Sequence, residues 1–155
     1  QYFCNMRAVI QRGSKASVTI GGKIKEEVQS GLLVLLGIEE NDTGKDIGWL
    51  VKKIIQLRIF SDADGKMNLS VQDINGDILV ISQFTLFAST KKGNRPSFLR
   101  SAKPDIAIPL YEQFLSELQH QLNKELYSGE FGADMKVELI NDGPVTIIID
   151  SKNPE

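Results

Sequence analysis

GLLVLLGI, residues 31–38, is apolar on both alternating faces, and DILVIS, residues 77–82, repeats the pattern over its four central positions. A strand wetted on one face alternates polar with apolar residues, whereas a strand covered on both sides reads as an unbroken run of Leu, Ile and Val. Both runs therefore belong in the middle of a sheet with packed layers on each side. Eight residues are too few to cross a membrane, which takes about 20 apolar residues in a helix, and charges follow directly at Glu39 and Glu40.

Two flanking stretches have helical spacing. Thr43 with Asp46 resembles a capping box, and Ile47, Leu50, Val51, Ile54 and Leu57 follow at intervals of three and four, which predicts a helix over 43–57. Pro104 suits a first helical turn, and Leu110, Tyr111, Phe114, Leu115, Leu118 and Leu122 make one apolar stripe, which predicts a helix over 104–126. The rest reads as strands at 7–11, 16–20, 23–28, 32–38, 57–60, 77–84, 135–140 and 145–149, parted by Gly-Gly, Asp-Gly, Asn-Gly and Asn-Asp-Gly-Pro signals. The expected architecture is a single layered α/β domain, with helices over one sheet and a second sheet packed behind it.

Composition agrees with one domain: 155 residues, 41% apolar and 25% charged. Burial of about two-thirds of the unfolded surface is expected at this size, so neither metal nor disulfides are needed to hold the fold. The single Cys4 excludes a disulfide framework. It stands in residues 1–5, which lack the layout of a signal peptide and read as the remnant of an added leader, with the domain proper at 6–155. That domain is then free of cysteine, which removes thiol catalysis and cysteine-bound zinc and suits a cytoplasmic protein. Net charge is −2, so any surface for a polyanion must be local.

Familiar catalytic equipment is missing. His120, the sole histidine, lies about 200° around its predicted helix from Leu118, on the polar side, so a Ser-His-Asp arrangement or a histidine metal site has no candidate. Asp62-Ala63-Asp64-Gly65 lacks the later glycine and glutamate of a calcium loop and reads as a hairpin turn. No phosphate-binding glycine loop is present. Three features remain. Lys91, Lys92, Arg95, Arg100 and Lys103 occur between Ala88 and Pro104 with no carboxylate among them, either a phosphate-binding surface or a solvated basic loop. Ser82-Gln83-Phe84-Thr85 places polar groups at the end of a buried strand, either a ligand crevice or a plain strand terminus. Asn141-Asp142-Gly143-Pro144 parts two strand-like segments, and its ordinary reading is a hairpin turn with a trans bond.

MRAVIQR (6–12), ASV (16–18), GLLVLLGI (31–38), LRIFSD (57–62), GKMNLS (65–70), SQFTLFA (82–88), KGNRPSF (92–98), FGADM (131–135) and NDGPVT (141–146) together resemble the D-aminoacyl-tRNA deacylases. The order and separation of SQFTL and NDGPVT carry the resemblance, and Gly13 departs from the valine common after Gln-Arg. The resemblance implies a homodimer that hydrolyses the ester of tRNA mischarged with a D-amino acid or glycine. It implies no cofactor, no metal, and neither membrane nor DNA as a partner. It implies a cis Gly143-Pro144 bond whose carbonyls enter the other subunit's pocket and leave no room for an L side chain, with Arg12 holding that motif. Ser82, Gln83, Phe84 and Thr85 would form the catalytic pocket, and Phe131 and Met135 would border the terminal adenine. Lys91, Lys92 and Arg95 would hold RNA phosphates. Thr85 as nucleophile competes with catalysis by backbone groups and the RNA 2′-OH, and the lack of a histidine base favours the second. The alternatives are a noncatalytic tRNA-binding module and a hydrolase of small esters.

Overall fold

The run 31–38 is the strand β3 (Gly31–Ile38), with β1 (Met6–Ile20) antiparallel on one side and β6 (Asp77–Ser82) parallel on the other. The structure, a computed structural model, describes residues 6–153; the leader expected at 1–5, with Cys4, lies outside the described residues. The remaining elements are β2 (Lys23–Val28), α1 (Gly44–Gln56), β4 (Phe60–Ser61), β5 (Met67–Leu69), a 3-10 turn over Phe84–Phe87, α2 (Pro104–Gln121), β7 (Tyr127–Ser128) and β8 (Met135–Asp150). The main sheet runs β2-β1-β3-β6-β7, with β8 also paired to β1, and β4-β5 form a small separate hairpin.

Both faces of the central strands are covered, as their composition requires. Leu32, Val34, Leu36, Ile78 and Val80 join Ile47, Leu50, Ile54, Phe114 and Leu118 of the two helices in one core. The alternate residues Leu33, Leu79 and Ile81 face Ala16, Val18 and Val28 in a second core. Behind β3 and β6, then, the layer is the far half of β1 with β2 and the start of β8. The sheet curls over itself to supply this layer, which gives the helix, sheet and sheet order expected from the sequence.

β1 and β8 carry the curl. The segments expected as separate strands at 7–11 and 16–20 are one strand, and those expected at 135–140 and 145–149 are another, paired antiparallel along their length. The hairpin turn expected at 141–144 is therefore absent, because both flanks of that segment pair with the same strand in the same direction. Gln11 faces Thr146 and Gly13 faces Asn141, so residues 142–145 bulge out opposite Arg12. The Gly143-Pro144 bond is cis, not the trans bond of the ordinary reading. Register shifts flank Gly13 on both sides, and a Cβ there would come no nearer than 3.5 Å to Ile140 O. The local bend therefore does not depend on the missing side chain.

Other boundaries move for local reasons. In α1, Thr43 Oγ1 accepts from Lys45 N at 3.4 Å, while Asp46 N donates to the Thr43 carbonyl and not to its hydroxyl, so the expected capping box is incomplete. α2 ends at Gln121, short of 126, because the Gln119 side chain accepts from Leu126 N and donates to Lys124 O, holding those backbone groups outside the helix. The strand expected at 57–60 shrinks to Phe60–Ser61. The Asp62 turn is a true hairpin turn, with Asp62 Oδ1 accepting from Asp64 N and Lys66 N. Its hydrogen bonds, first from the Asn68 side chain, hold the Asp62 carboxyl below its ordinary value. No helix among the described residues is long and apolar enough to cross a membrane.

Candidate active site

The strand expected over 77–84 stops at Ser82, and residues 83–87 frame the site. Gln83 N donates to Leu36 O at 2.7 Å, and the chain then coils into the turn Phe84–Phe87 lying on β3. This descent needs Gly37. A Cβ there would lie 3.0 Å from Leu86 Cβ, 3.1 Å from Phe87 Cε2 and 3.2 Å from Gln83 O. Arg7 grips the turn by donating from Nη1 to Leu86 O at 2.9 Å, with its Nε paired to Asp150 at 3.0 Å. The buried Phe87 ring lies 4.7 Å from the Arg7 guanidinium and 5.3 Å from that of Arg100. Ser101 Oγ donates to Phe84 O at 2.8 Å. The carbonyls of Phe84, Thr85 and Leu86 are thus engaged, the second by Ala88 N, whereas a 3-10 turn leaves the amides that open it, here Phe84 and Thr85, without intrahelical acceptors.

Beside the turn lies a cleft of about 320 Å³. Ser82, Gln83 and Phe84 form one wall, and Phe131 and Met135 form the other together with residues 132–134. Five of the residues expected at the site are thereby brought together. Phe131 rests on Tyr111 of α2, ring centres 5.8 Å apart, and the Tyr111 hydroxyl donates to Val80 O at 3.4 Å. Burial pushes the Tyr111 phenol up from 10.0 to about 12, with a hydrogen bond involving Ser128 as a smaller opposing influence. A raised value means that the folded state resists ionisation, so this contribution is whole below pH 10 and disappears as pH rises through about 12. It amounts to about 2–3 kcal/mol at most. Tyr111→Phe is expected to flatten the fall of Tm between pH 10 and 12 relative to the parent chain; parallel falls in thermal scans would refute the assignment.

Thr85 belongs to the turn but not to the cleft wall, and it is exposed. Its Oγ1 accepts a hydrogen bond from Gln83 Nε2, a contact that supplies no base. His120 stands on the exposed side of α2, beside Ser116 and Glu117, as its helical position implies.

Arg12, Gly143 and Pro144 form a second cluster that does not line this cleft within one chain. Arg12 donates from Nε to Asp142 O at 2.8 Å and from Nη1 to Ile59 O at 2.7 Å, pinning the bulge to the segment before β4. Asn141 Oδ1 accepts from Val145 N at 2.9 Å and closes the bulge across its base. Gly143 and Pro144 remain exposed at its tip.

A third cluster comes from the basic stretch. Lys91, Lys92, Arg95 and Arg100 line a cleft of about 270 Å³ together with Ser89, Ser97 and Leu99. Lys103 is instead the N-cap residue of α2. A carboxylate does reach this region from elsewhere in the chain: Glu39 pairs with Arg100 at 3.1 Å. Sequence reading missed Gly37, Arg7, Ser101 and Tyr111 as supports of the site. Of these, Gly37 had a signal, a small residue closing a bulky apolar run next to the strand that ends at Ser82.

A family model described as D-Tyr-tRNA(Tyr) deacylase matches residues 9–150. The D-aminoacyl-tRNA deacylases of Flavobacterium psychrophilum and Bacteroides fragilis are each 64% identical to this chain over 150 residues, covering 97% of it and 100% of their own length. A solved structure titled "c-Myc DNA Unwinding Element Binding Protein" superposes with a TM-score of 0.88 at 43% identity, covering 92% of this chain and 97% of that one. A second, of a probable eukaryotic D-amino acid tRNA deacylase, shares the fold at a TM-score of 0.79 and 17% identity, covering 94% of this chain and 99% of that one. With the family match spanning nearly the whole domain and Ser82, Gln83 and Phe84 facing Phe131 and Met135 across one cleft, the chain belongs to the D-aminoacyl-tRNA deacylase family.

Proposed function

We propose that the chain hydrolyses the ester joining a D-amino acid, or glycine, to the terminal adenosine of tRNA, acting in the cytoplasm as a homodimer. The observation that carries this reading is the cleft at the end of β6, walled by Ser82, Gln83 and Phe84 on one side and by Phe131 and Met135 on the other. The flat ring and thioether of the second wall suit an adenine, and the polar strand end suits the ester. Water adds to the ester carbonyl carbon, and the negative oxygen is received by the amides that open the turn, Phe84 and Thr85. The ribose 3′-oxygen then departs with the proton that the attacking water gives up, relayed through the neighbouring 2′-OH, releasing free amino acid and tRNA. One well-placed oxyanion donor contributes about 10²–10³ in rate, enough for an activated ester without a histidine.

Gly143 and Pro144 supply the chiral filter from the other subunit. The bulge is exposed, is braced by Arg12, and is absent from its own chain's cleft, which is the disposition a cross-subunit element requires. Its main chain meets the amino group and occupies the space of an L side chain, so glycine is admitted with D-amino acids. Lys91, Lys92 and Arg95 hold phosphates and attract a polyanion to a chain of net charge −2.

The test is hydrolysis of D-Tyr-tRNA, L-Tyr-tRNA and Gly-tRNA by the purified protein. Turnover of the first and third with the second spared supports the reading; equal hydrolysis of all three refutes the filter, and salt-sensitive binding with no turnover selects the noncatalytic RNA-binding alternative. Because the Thr85 hydroxyl accepts from the Gln83 amide, a group that cannot take its proton, Thr85→Ala is expected to keep kcat within about tenfold of the parent. Complete loss with an unchanged Tm would restore Thr85 as the nucleophile.

A further inference from the structure

Between the substrate cleft and the basic cleft lies an apolar surface left exposed among the described residues. Phe84 lines the first cleft and is 55% exposed, and its ring meets that of Phe98 edge-on with centres 5.0 Å apart. Phe98 is 37% exposed and is followed by Leu99, 87% exposed, which lines the basic cleft with Lys91, Lys92 and Arg95. The two clefts are therefore joined by a continuous strip that passes from aromatic to cationic. The strip is held rigidly at its base: Ser89 and Ser97 exchange backbone hydrogen bonds of 2.8 Å each, and Glu40 N donates to Arg100 O at 3.1 Å.

Open aromatic faces interleaved with cations are what unpaired nucleic acid selects, since every base offers a ring to stack and every link a phosphate to neutralise. A protein partner would suit the apolar part of the strip, whereas Lys91, Lys92 and Arg95, grouped at its far end while Glu39 answers Arg100, suit the repeated phosphates of a nucleic-acid strand. We infer that this strip is a track for the single-stranded nucleotides immediately upstream of the terminal adenosine, with Phe98 and Leu99 stacking against bases while Lys91, Lys92 and Arg95 take the phosphates between them. The inference rests on the deacylase reading for its direction: the terminal nucleoside fills the cleft at Phe84, and the strand leaves over Phe98. It assigns Phe98 and Leu99 to substrate positioning, and it makes the enzyme a reader of an unpaired end rather than of a duplex.

The experiment compares kcat/KM for D-Tyr-tRNA with that for 3′-O-D-tyrosyladenosine, which ends where the track begins. In Phe98→Ala, Leu99→Ser and the triple variant Lys91→Ala/Lys92→Ala/Arg95→Ala, the ratio of the two is expected to fall about tenfold, the scale of one lost stacking or phosphate contact set. The triple variant should also reduce the salt dependence of tRNA binding, with the logarithmic slope shallower by about two. A ratio equal to the parent's overturns the track, and an equal loss on both substrates shows that Phe98 only props Phe84 and overturns it as well. If the parent hydrolyses neither substrate, the deacylase reading fails, and fluorescence anisotropy of a labelled single-stranded ACCA oligonucleotide against a blunt RNA duplex decides the track by itself. Preferential binding of the single strand, weakened by Phe98→Ala and Leu99→Ser, supports it, and equal binding of both RNAs ends it.

Discussion

Gly143→Ala is expected to lower kcat/KM for D-Tyr-tRNA by about 100-fold or more, the loss incurred when a positioning element moves by about 1 Å. Gly143 has φ +136°, a region that L side chains rarely enter, and an added Cβ would lie 2.8 Å from Val145 Cγ2 and 2.9 Å from Arg12 Nη2. The end of an arginine can usually swing aside. Here it cannot do so freely, because the same guanidinium donates to Asp142 O and to Ile59 O. Either the bulge shifts or Arg12 releases it, and each outcome withdraws the tip from the position proposed for it. The backbone strain is about 1–3 kcal/mol, small enough for the domain to stay folded. Single-turnover deacylation alongside a thermal scan gives the answer: parental turnover in a folded variant would remove residues 142–145 from the proposed filter.

The second large effect concerns the floor of the site. In Gly37→Val the Cβ alone would press on Leu86 and Phe87 at 3.0 and 3.1 Å, and the two methyl groups go beyond that. Phe87 is fully buried and flanked by the Arg7 and Arg100 guanidiniums, so the clash is relieved by lifting the whole turn. Overpacking of this kind costs about 1–3 kcal/mol. The catalytic penalty comes on top of this: kcat should drop by about 100-fold as the Phe84 and Thr85 amides leave their positions, with a smaller change in KM. Gly37→Ala, with one clashing atom, should lie between the two. If Gly37→Val retains kcat within about twofold, the backbone of the turn is not the catalytic device.

The parts of this molecule legible from sequence are those whose signal is local or periodic. The doubly apolar 31–38 and 78–81 announced a sheet covered on both faces, and the spacing of Ile47, Leu50 and Ile54 placed α1 within a residue at each end. The place of His120 on the exposed side of its helix was equally plain. Helix α2 shows where such signals run out: its apolar stripe continues through Leu122, but the Gln119 side chain captures the backbone of residues 124 and 126 and the helix stops. Propensity does not register a side chain that competes for main-chain groups.

Residues 141–144 mark the same boundary at the scale of the fold. Asn-Asp-Gly-Pro has the composition of a reversal, and composition cannot distinguish a hairpin turn from a bulge in a strand that continues onward. What decided it was β1, far earlier in the chain, which pairs with both flanks and leaves Arg12 to tie down the excess across a separation of 130 residues. The amino-acid order determined the layers, the chemistry on offer and the short motifs. Tertiary pairing alone decided that Tyr111 backs Phe131, that Glu39 answers Arg100, and that Gly37 lets the SQFT turn settle beside Phe131 and Met135. Those relations depend on distances between residues far apart in the chain, which no local pattern encodes until the sheet has curled.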